Sequence, residues 1–270
     1  MQKLLSIITV TYNAEEYLRE CIESVKILKS KYDSMIEYII IDGKSTDKTT
    51  KIIEEYYISG VVDFYLSESD EGIFDAMNKG INHSTGEYIL TVGSDDFLLP
   101  QNFGKVIERL AIEKPDVCYG DAIFISRSDN KIVRLYKSGK YRRWKIELGW
   151  HPPHPGTIVK KSLLVMNMFN VEHKVSADVE MLWKTFMNCK SVIYENVYLV
   201  VCRMGGVSTR SFKDILKANR EVYETAKSLG YKMPAFTVLT KLMWKSTQVL
   251  RAKLTNRKKL LSEIEFRKPA

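Results

Sequence analysis

Residues 86–96 read GEYILTVGSDD: an apolar run passes straight into two adjacent carboxylates, Asp95 and Asp96. A short continuous apolar run is the pattern of a strand buried on both faces. Open α/β sheets bind ligands outside the carboxyl ends of such strands. A hard cation such as Mg²⁺ or Mn²⁺ takes carboxylate oxygens there and shares its other positions with phosphate oxygens, so the pair is a candidate metal and diphosphate site. The competing reading is a turn, since FLLPQNFGKVIERL (97–110) follows as a loop entering a helix and Asp favours such positions.

The chain on either side repeats the pattern. LLSIITV (4–10) is a second buried run, followed by AEEYLRECIESVKIL with Leu18, Cys21, Ile22, Val25 and Leu28 at helical spacing. IEYIIID (36–42) and VVDFYLS (61–67) are two further strands. The STDKT turn offers Ser45, Thr46 or Asp47 as the cap of the helix KIIEEYY, and another helix runs through DAMNKGINHS. Alternating strands and helices predict an α/β fold with a mostly parallel, Rossmann-like central sheet flanked by helices. After residue 115 the rhythm changes. DVCYGDAIFIS and KIVRLYKSGK predict a hairpin around SRSDN, WHPPHPGTIVKK a Pro-rich turn entering a strand, ADVEMLWKTFMN a helix and SVIYENVYLVVC a strand.

With 45% hydrophobic and 27% charged residues in 270, the chain has the composition of a globular protein with a sizeable core. Cys21, Cys118, Cys189 and Cys202 lack CxxC spacing, which favours core thiols in a reducing compartment over zinc or disulfides. The first residues lack the features of a secretory leader, and no run approaches 18 apolar residues, so no membrane-spanning helix is expected.

The net charge of +8 is localised. Residues 1–230 are balanced, whereas residues 231–270 carry ten Lys and Arg against Glu263 and Glu265. Within that tail, AFTVLTKLMWKSTQVLRAKL gathers Phe236, Leu239, Leu242, Met243, Leu250 and Leu254 near one helical face, with Lys241, Lys245 and Arg251 mostly off it. A basic amphipathic helix with Trp244 reads as an element that docks on a membrane surface or a partner. It reads equally as a helix that packs its apolar side back on the domain. No nucleic-acid-reading motif accompanies it, so nucleic acid is not an expected partner.

Taken in order, SIITVTYNAEEYLRECIESV, IIIDGKSTDKT, DEGIFDAMNKGINHSTGEYILTVGSDD and SADVEML with a later GGVS resemble the catalytic domain of glycosyltransferase family 2, the GT-A fold, over about residues 4–210. Within that family the chain looks most like the bacterial enzymes that build surface polysaccharides. The resemblance implies a catalytic domain over 1–215, with a nucleotide-sugar half to about 115 and an acceptor half over 116–215. Residues 216–270 would be a helical basic extension.

The resemblance also assigns residues. Thr11, Tyr12, Asn13, Asp42, Asp70, Gly72 and Ser94 would bind the nucleotide-sugar donor. A plain turn before Gly43 is the alternative for Asp42, and an ordinary turn glycine the alternative for Gly72. Lys79 reads as a surface charge. Asp95 matches the last carboxylate of the family's Asp-any-Asp motif and, with Asp96, would hold Mn²⁺ or Mg²⁺. Gly93 stands where the motif's first Asp would be, a departure that also admits a binding subunit without catalysis. Asp178 aligns with the acidic position of the catalytic base, with Glu180 as its neighbour and rival. His151 and His154 would shape the sugar and acceptor pocket, while Trp150 reads as core. The expected activity is inverting transfer from a UDP-sugar to a hydroxyl of a lipid-linked surface glycan. That work would be done in the cytoplasm, with the tail at the inner face of the cytoplasmic membrane. A sugar nucleotidyltransferase is disfavoured because VTYNAEE carries no glycine for a phosphate loop.

Overall fold

The computed structural model describes residues 3–205 and 212–255. The GGVS stretch beyond Gly205 and the tail from residue 256 lie outside the described residues. In chain order the elements are β1 (Leu5–Thr11), α1 (Leu18–Tyr32), β2 (Ile36–Asp42), α2 (Thr49–Ile58), β3 (Phe64–Ser67), α3 (Ile73–His83), β4 (Tyr88–Gly93), β5 (Phe97–Leu98) and α4 (Gly104–Ile112). There follow β6 (Val117–Ile125), β7 (Ile132–Tyr136), α5 (Arg143–Glu147), β8 (Thr157–Lys160), α6 (Lys161–Val165), α7 (Ala177–Asn188), β9 (Val192–Arg203), α8 (Phe212–Ser228) and α9 (Pro234–Leu254).

One sheet runs β3-β2-β1-β4-β8-β6-β9-β5, with β7 on β6. Its first four strands are parallel, as buried apolar runs joined by helices should be. Alternate residues of each strand face opposite layers. Leu5 and Ile7 pack with Leu18, Ile22 and Val25 of α1, whereas Ile8 and Val10 pack with Met77 and Ile81 of α3. A Cβ on Gly80 would lie 2.4 Å from Ile8 Cγ2, so α3 sits on the sheet at glycine distance.

The second half is mixed. β6 and β7 form the expected antiparallel hairpin, β8 runs antiparallel to both β4 and β6, and β9 runs parallel to β6. Where a loop is expected after Asp96, residues 97 and 98 instead pair with Val200 and Val201 of β9. The register Thr11 to Asp42, Val10 to Gly93 and Asp42 to Ser67 brings four strand ends to one edge.

The last two helices are part of the same body. Glu221 of α8 is buried and accepts hydrogen bonds from the backbone N–H groups of Lys174, Val175 and Ser176 and from the Ser176 hydroxyl. That carboxylate fixes the segment that leads into α7. The boundary expected at residue 215 falls within α8. Helix α9 lies along β7 with Thr237, Gln248 and Ala252 buried against the body, and it turns Leu239, Met243, Leu250 and Leu254 outward, each more than half exposed. Its apolar stripe is therefore the outer face. The residues that seat α9 are a different set: Ala252 packs with Ile132 and Leu135 of β7 in an apolar cluster, and the approach to residues 147–149 is close. Thr237 Oγ1 donates to the Glu147 carbonyl at 2.6 Å, and a Cβ on Gly149 would lie 2.5 Å from the Thr237 carbonyl oxygen. Among the described residues no helix is long and apolar enough to cross a membrane.

Candidate active site

A cavity of about 360 Å³ opens at the strand-end edge. Asp95, Asp96, His151, His154, Asp178, Arg203, Lys241 and Lys245 contribute to its lining. It thus gathers residues from β4, the Pro-rich turn, α7, β9 and α9.

Beside it, the ends of β1 and β2 form a polar shelf. Asp42 is fully buried; its Oδ2 accepts from the Ser45 N–H at 3.0 Å and the Ser67 hydroxyl at 2.6 Å, and its Oδ1 accepts from the Ser45 hydroxyl at 2.5 Å. A carboxylate offers about four acceptor positions, so one remains open. Thr11 Oγ1 is buried without a hydrogen-bond partner, and such a group is expected to find one in a ligand or water. Tyr12 is exposed. Asn13, at φ 48°, accepts from the Thr46 N–H at 2.9 Å and ties the two strand ends together. Asp70 accepts from the Gly72 N–H at 2.9 Å, and its other oxygen would lie 2.5 Å from a Cβ on Gly43. Glycine at 43 is therefore what lets the Asp70 carboxylate reach the Asp42 turn. Gly72, at φ 122°, adopts backbone that side chains rarely tolerate. Lys79 pairs with Glu68 and Asp75, as a surface charge should.

At the end of β4 the two carboxylates converge on the space beside Gly93. A Cβ there would stand 3.1 Å from Asp95 Oδ1 and 3.4 Å from Asp96 Oδ2. Asp96 is buried and accepts from the Arg203 N–H at 3.0 Å; burial and the Asp95 carboxylate push its pKa up to about 8. Arg127, at the turn of the β6–β7 hairpin, pairs with Asp95. Arg203 donates to the Asp95 carbonyl at 2.7 Å, pairs with Glu20 at 2.5 Å, and stacks over Tyr17. Among the described residues no third His, Cys, Asp or Glu joins the pair. Two carboxylates suit a cation that takes its remaining oxygens from a diphosphate, provided Arg127 yields Asp95. Ser94, half-buried in the turn that follows β4, is not among the residues that line the cavity.

The other side is built on α7 and the Pro-rich turn. Asp178 lies in the first turn of α7, where a negative charge is favoured by the helix dipole, and its Oδ1 accepts from the Val179 N–H at 2.9 Å. It lines the cavity. Glu180 does not: it is buried in an ion pair with Lys184 at 2.5 Å, with His173 Nδ1 2.9 Å away. His154 Nε2 bonds the Thr91 hydroxyl of β4 at 2.7 Å, and burial holds its pKa below the usual value. Burial and the charge of Lys241 bring His151 down to about 4, so both rings are neutral at pH 7. Trp150 is buried, its indole N–H bonding the Ser138 carbonyl at 2.9 Å.

Sequence reasoning brought together Asp95, Asp96, His154 and Asp178 in one cavity, and Thr11, Asp42 and Asp70 near one another at the adjoining strand ends. It missed Arg127 and Arg203, which no local pattern marks, and Glu221, a lone carboxylate on a helix counted as tail. It also missed the inward lysines of α9, although their absence from the apolar stripe was itself the signal.

Residues 6–186 match the sequence family described as Glycosyl transferase family 2. The chondroitin synthase of Escherichia coli is 27% identical over 248 residues, which cover 88% of this chain and 35% of that protein. This chain thus spans about a third of that relative's length. The crystal structure of S. aureus TarS 1-349 in complex with UDP-GlcNAc is similar at a TM-score of 0.63 and 18% identity, covering 95% of this chain and 77% of that one. The mannosyltransferase PcManGT from Pyrobaculum calidifontis, in complex with GDP-Man and Mn²⁺, is similar at a TM-score of 0.61 and 15% identity, covering 97% and 79%. These similarities identify the α/β architecture as the GT-A fold, and with the match over two thirds of its length the chain belongs to glycosyltransferase family 2.

Proposed function

We propose that this chain is an inverting glycosyltransferase that moves a sugar from a UDP-sugar to a hydroxyl of a lipid-linked surface glycan. The observation that carries the reading is one cavity with the Asp95–Asp96 pair on one side and Asp178 on the other. The first 215 residues would supply donor and acceptor halves, and the extension would close the cavity and reach the membrane. Thr11, Tyr12, Asn13, Asp42, Asp70, Gly72 and Ser94 would hold the nucleotide, with the open acceptor position of Asp42 and the unpartnered Thr11 hydroxyl available to ribose or base. Asp95 and Asp96 would hold Mn²⁺ or Mg²⁺, whose charge stabilises the departing diphosphate. Neutral His154, fixed by Thr91, would shape the sugar pocket. Asp178 accepts the proton of the acceptor hydroxyl as its oxygen bonds to the anomeric carbon. The bond from that carbon to the diphosphate breaks, and the nucleoside diphosphate leaves with the electron pair. The anomer released when water replaces the acceptor tests the stereochemistry. From an α-linked UDP-sugar, NMR before mutarotation should read the β-sugar, and an α-sugar would contradict direct displacement.

The outward stripe of α9 supports the membrane part of this reading. Leu239, Met243, Leu250 and Leu254 face away from the body on a tail rich in Lys and Arg, and apolar area with positive charge suits an anionic lipid surface. The triple variant Leu239→Ser, Met243→Ser, Leu250→Ser should lower sedimentation with phosphatidylglycerol vesicles by on the order of tenfold, with UDP affinity unchanged. Equal sedimentation of variant and wild type would remove the membrane from the account.

A further inference from the structure

The cavity holds more positive charge than the reaction above uses. Lys137 is paired with Asp121 and Arg203 with Glu20, and Lys174 turns its Nζ away to donate to the Glu71 carbonyl at 3.0 Å. Arg134 of β7 and Lys241 and Lys245 of α9, which also line the cavity, pair with no carboxylate among the described residues. Arg134 stacks over Phe124 at 4.1 Å and Tyr136 at 5.0 Å, and its Nε is buried without a hydrogen-bond partner. The lysines do not belong to a loose tail. The contact of Gly149 with Thr237 and Lys241 and the bond from Thr237 to Glu147 seat this stretch of α9 against the body.

Like charges gathered out of water repel and are poorly solvated. Burial, Lys245 and Arg134 together lower Lys241 to about 8, and Asp178 is the carboxylate that opposes them. His151 feels the same two groups, Lys241 and Asp178, whereas Asp96 feels Asp95 and Arg203. A Cβ on Gly149 would lie 2.8 Å from Lys241 Cβ, so α9 meets the chain where it enters the Pro-rich turn, and the cations line the Asp178 side of the cavity. Three positive charges against one carboxylate leave an excess of two, which matches a phosphate group better than a single carboxylate.

We infer that Arg134, Lys241 and Lys245 form an anion subsite beside Asp178, and that the acceptor carries a phosphate group close to the hydroxyl that reacts. The inference rests on the glycosyltransferase reading for its assignment to the acceptor. The same chemistry on the donor is its diphosphate, and the test separates the two sources.

Calorimetric titration of inorganic phosphate into the full chain, saturated with UDP and Mg²⁺, reads the subsite directly. Wild type should bind phosphate, and Lys241→Gln and Lys245→Gln should each weaken it at least fivefold. UDP affinity should stay within twofold and the melting temperature within a few degrees, which also certifies folding. Equal phosphate affinity in all three proteins would overturn the subsite. Displacement of phosphate by UDP, or loss of UDP binding in both lysine variants, would overturn the acceptor assignment and give these cations to the donor diphosphate. A wild type that binds no UDP would end the glycosyltransferase reading, while phosphate binding lost in both variants would still sustain the subsite.

Discussion

Asp178→Asn should lower turnover by roughly 10²- to 10⁴-fold, the range expected when a positioned general base is removed, while UDP affinity stays within about twofold. The substitution keeps the side chain's shape and its Oδ1, so the bond from the Val179 N–H survives. What is lost is the capacity to take a proton. Glu180 cannot stand in, since Lys184, His173 and Asn170 hold its carboxylate away from the cavity. His151 and His154 are neutral, with His151 Nδ1 against the Pro152 carbonyl and His154 Nε2 against the Thr91 hydroxyl. Turnover near the wild-type rate would show that Asp178 is only a helix-start carboxylate and that another group takes the proton, whereas a folded wild type that binds UDP without turnover would return the chain to the binding-subunit alternative. Steady-state kinetics with calorimetry on the same preparation separates the two.

Glu221→Ala should cost about 3 kcal/mol of stability, because it strands three backbone N–H groups, each worth roughly 1–3 kcal/mol when left unpaired but partly rescued by water, while the Ser176 hydroxyl keeps the Ala218 carbonyl. For a chain of this size that is a fall of about 6–12 °C in melting temperature. The same change should lower turnover by about tenfold, since the 174–176 segment that Glu221 holds leads directly into the first turn of α7. Glu221→Gln, which keeps one acceptor oxygen, should recover part of both losses. Urea unfolding and kcat measured together check this. A variant with normal stability and turnover would mean that the segment is held by other contacts.

Much of the fold was legible because its signals are local. The runs ending at Val10, Asp42 and Val92 are buried on both faces and could be little other than central strands, and the helices between them show their stripes. β5 was not legible: two residues, Phe97 and Leu98, gain strand character only by pairing with β9 a hundred residues later. Nor was the orientation of α9. Periodicity reveals that Leu239, Met243, Leu250 and Leu254 share a side, but not whether the domain offers that side an apolar seat. β7 and Gly149 take the opposite side, through Ala252 and Thr237, and Lys241 and Lys245 turn toward the cavity with it. The candidate site divides in the same way. Asp42, Asp95 and Asp178 were readable from ordered motifs. Arg127, Arg203 and Glu221 act across long sequence separations, and nothing in their own surroundings marks them.

If the strand-end cavity binds a nucleoside diphosphate through Asp95 and a divalent cation, calorimetric titration of UDP into wild type and Asp95→Ala, with and without Mn²⁺, will read it. Mn²⁺ should strengthen UDP binding to wild type by at least tenfold, and Asp95→Ala should abolish the gain. UDP binding that is indifferent to both Mn²⁺ and Asp95, or absent from folded wild type, would contradict it.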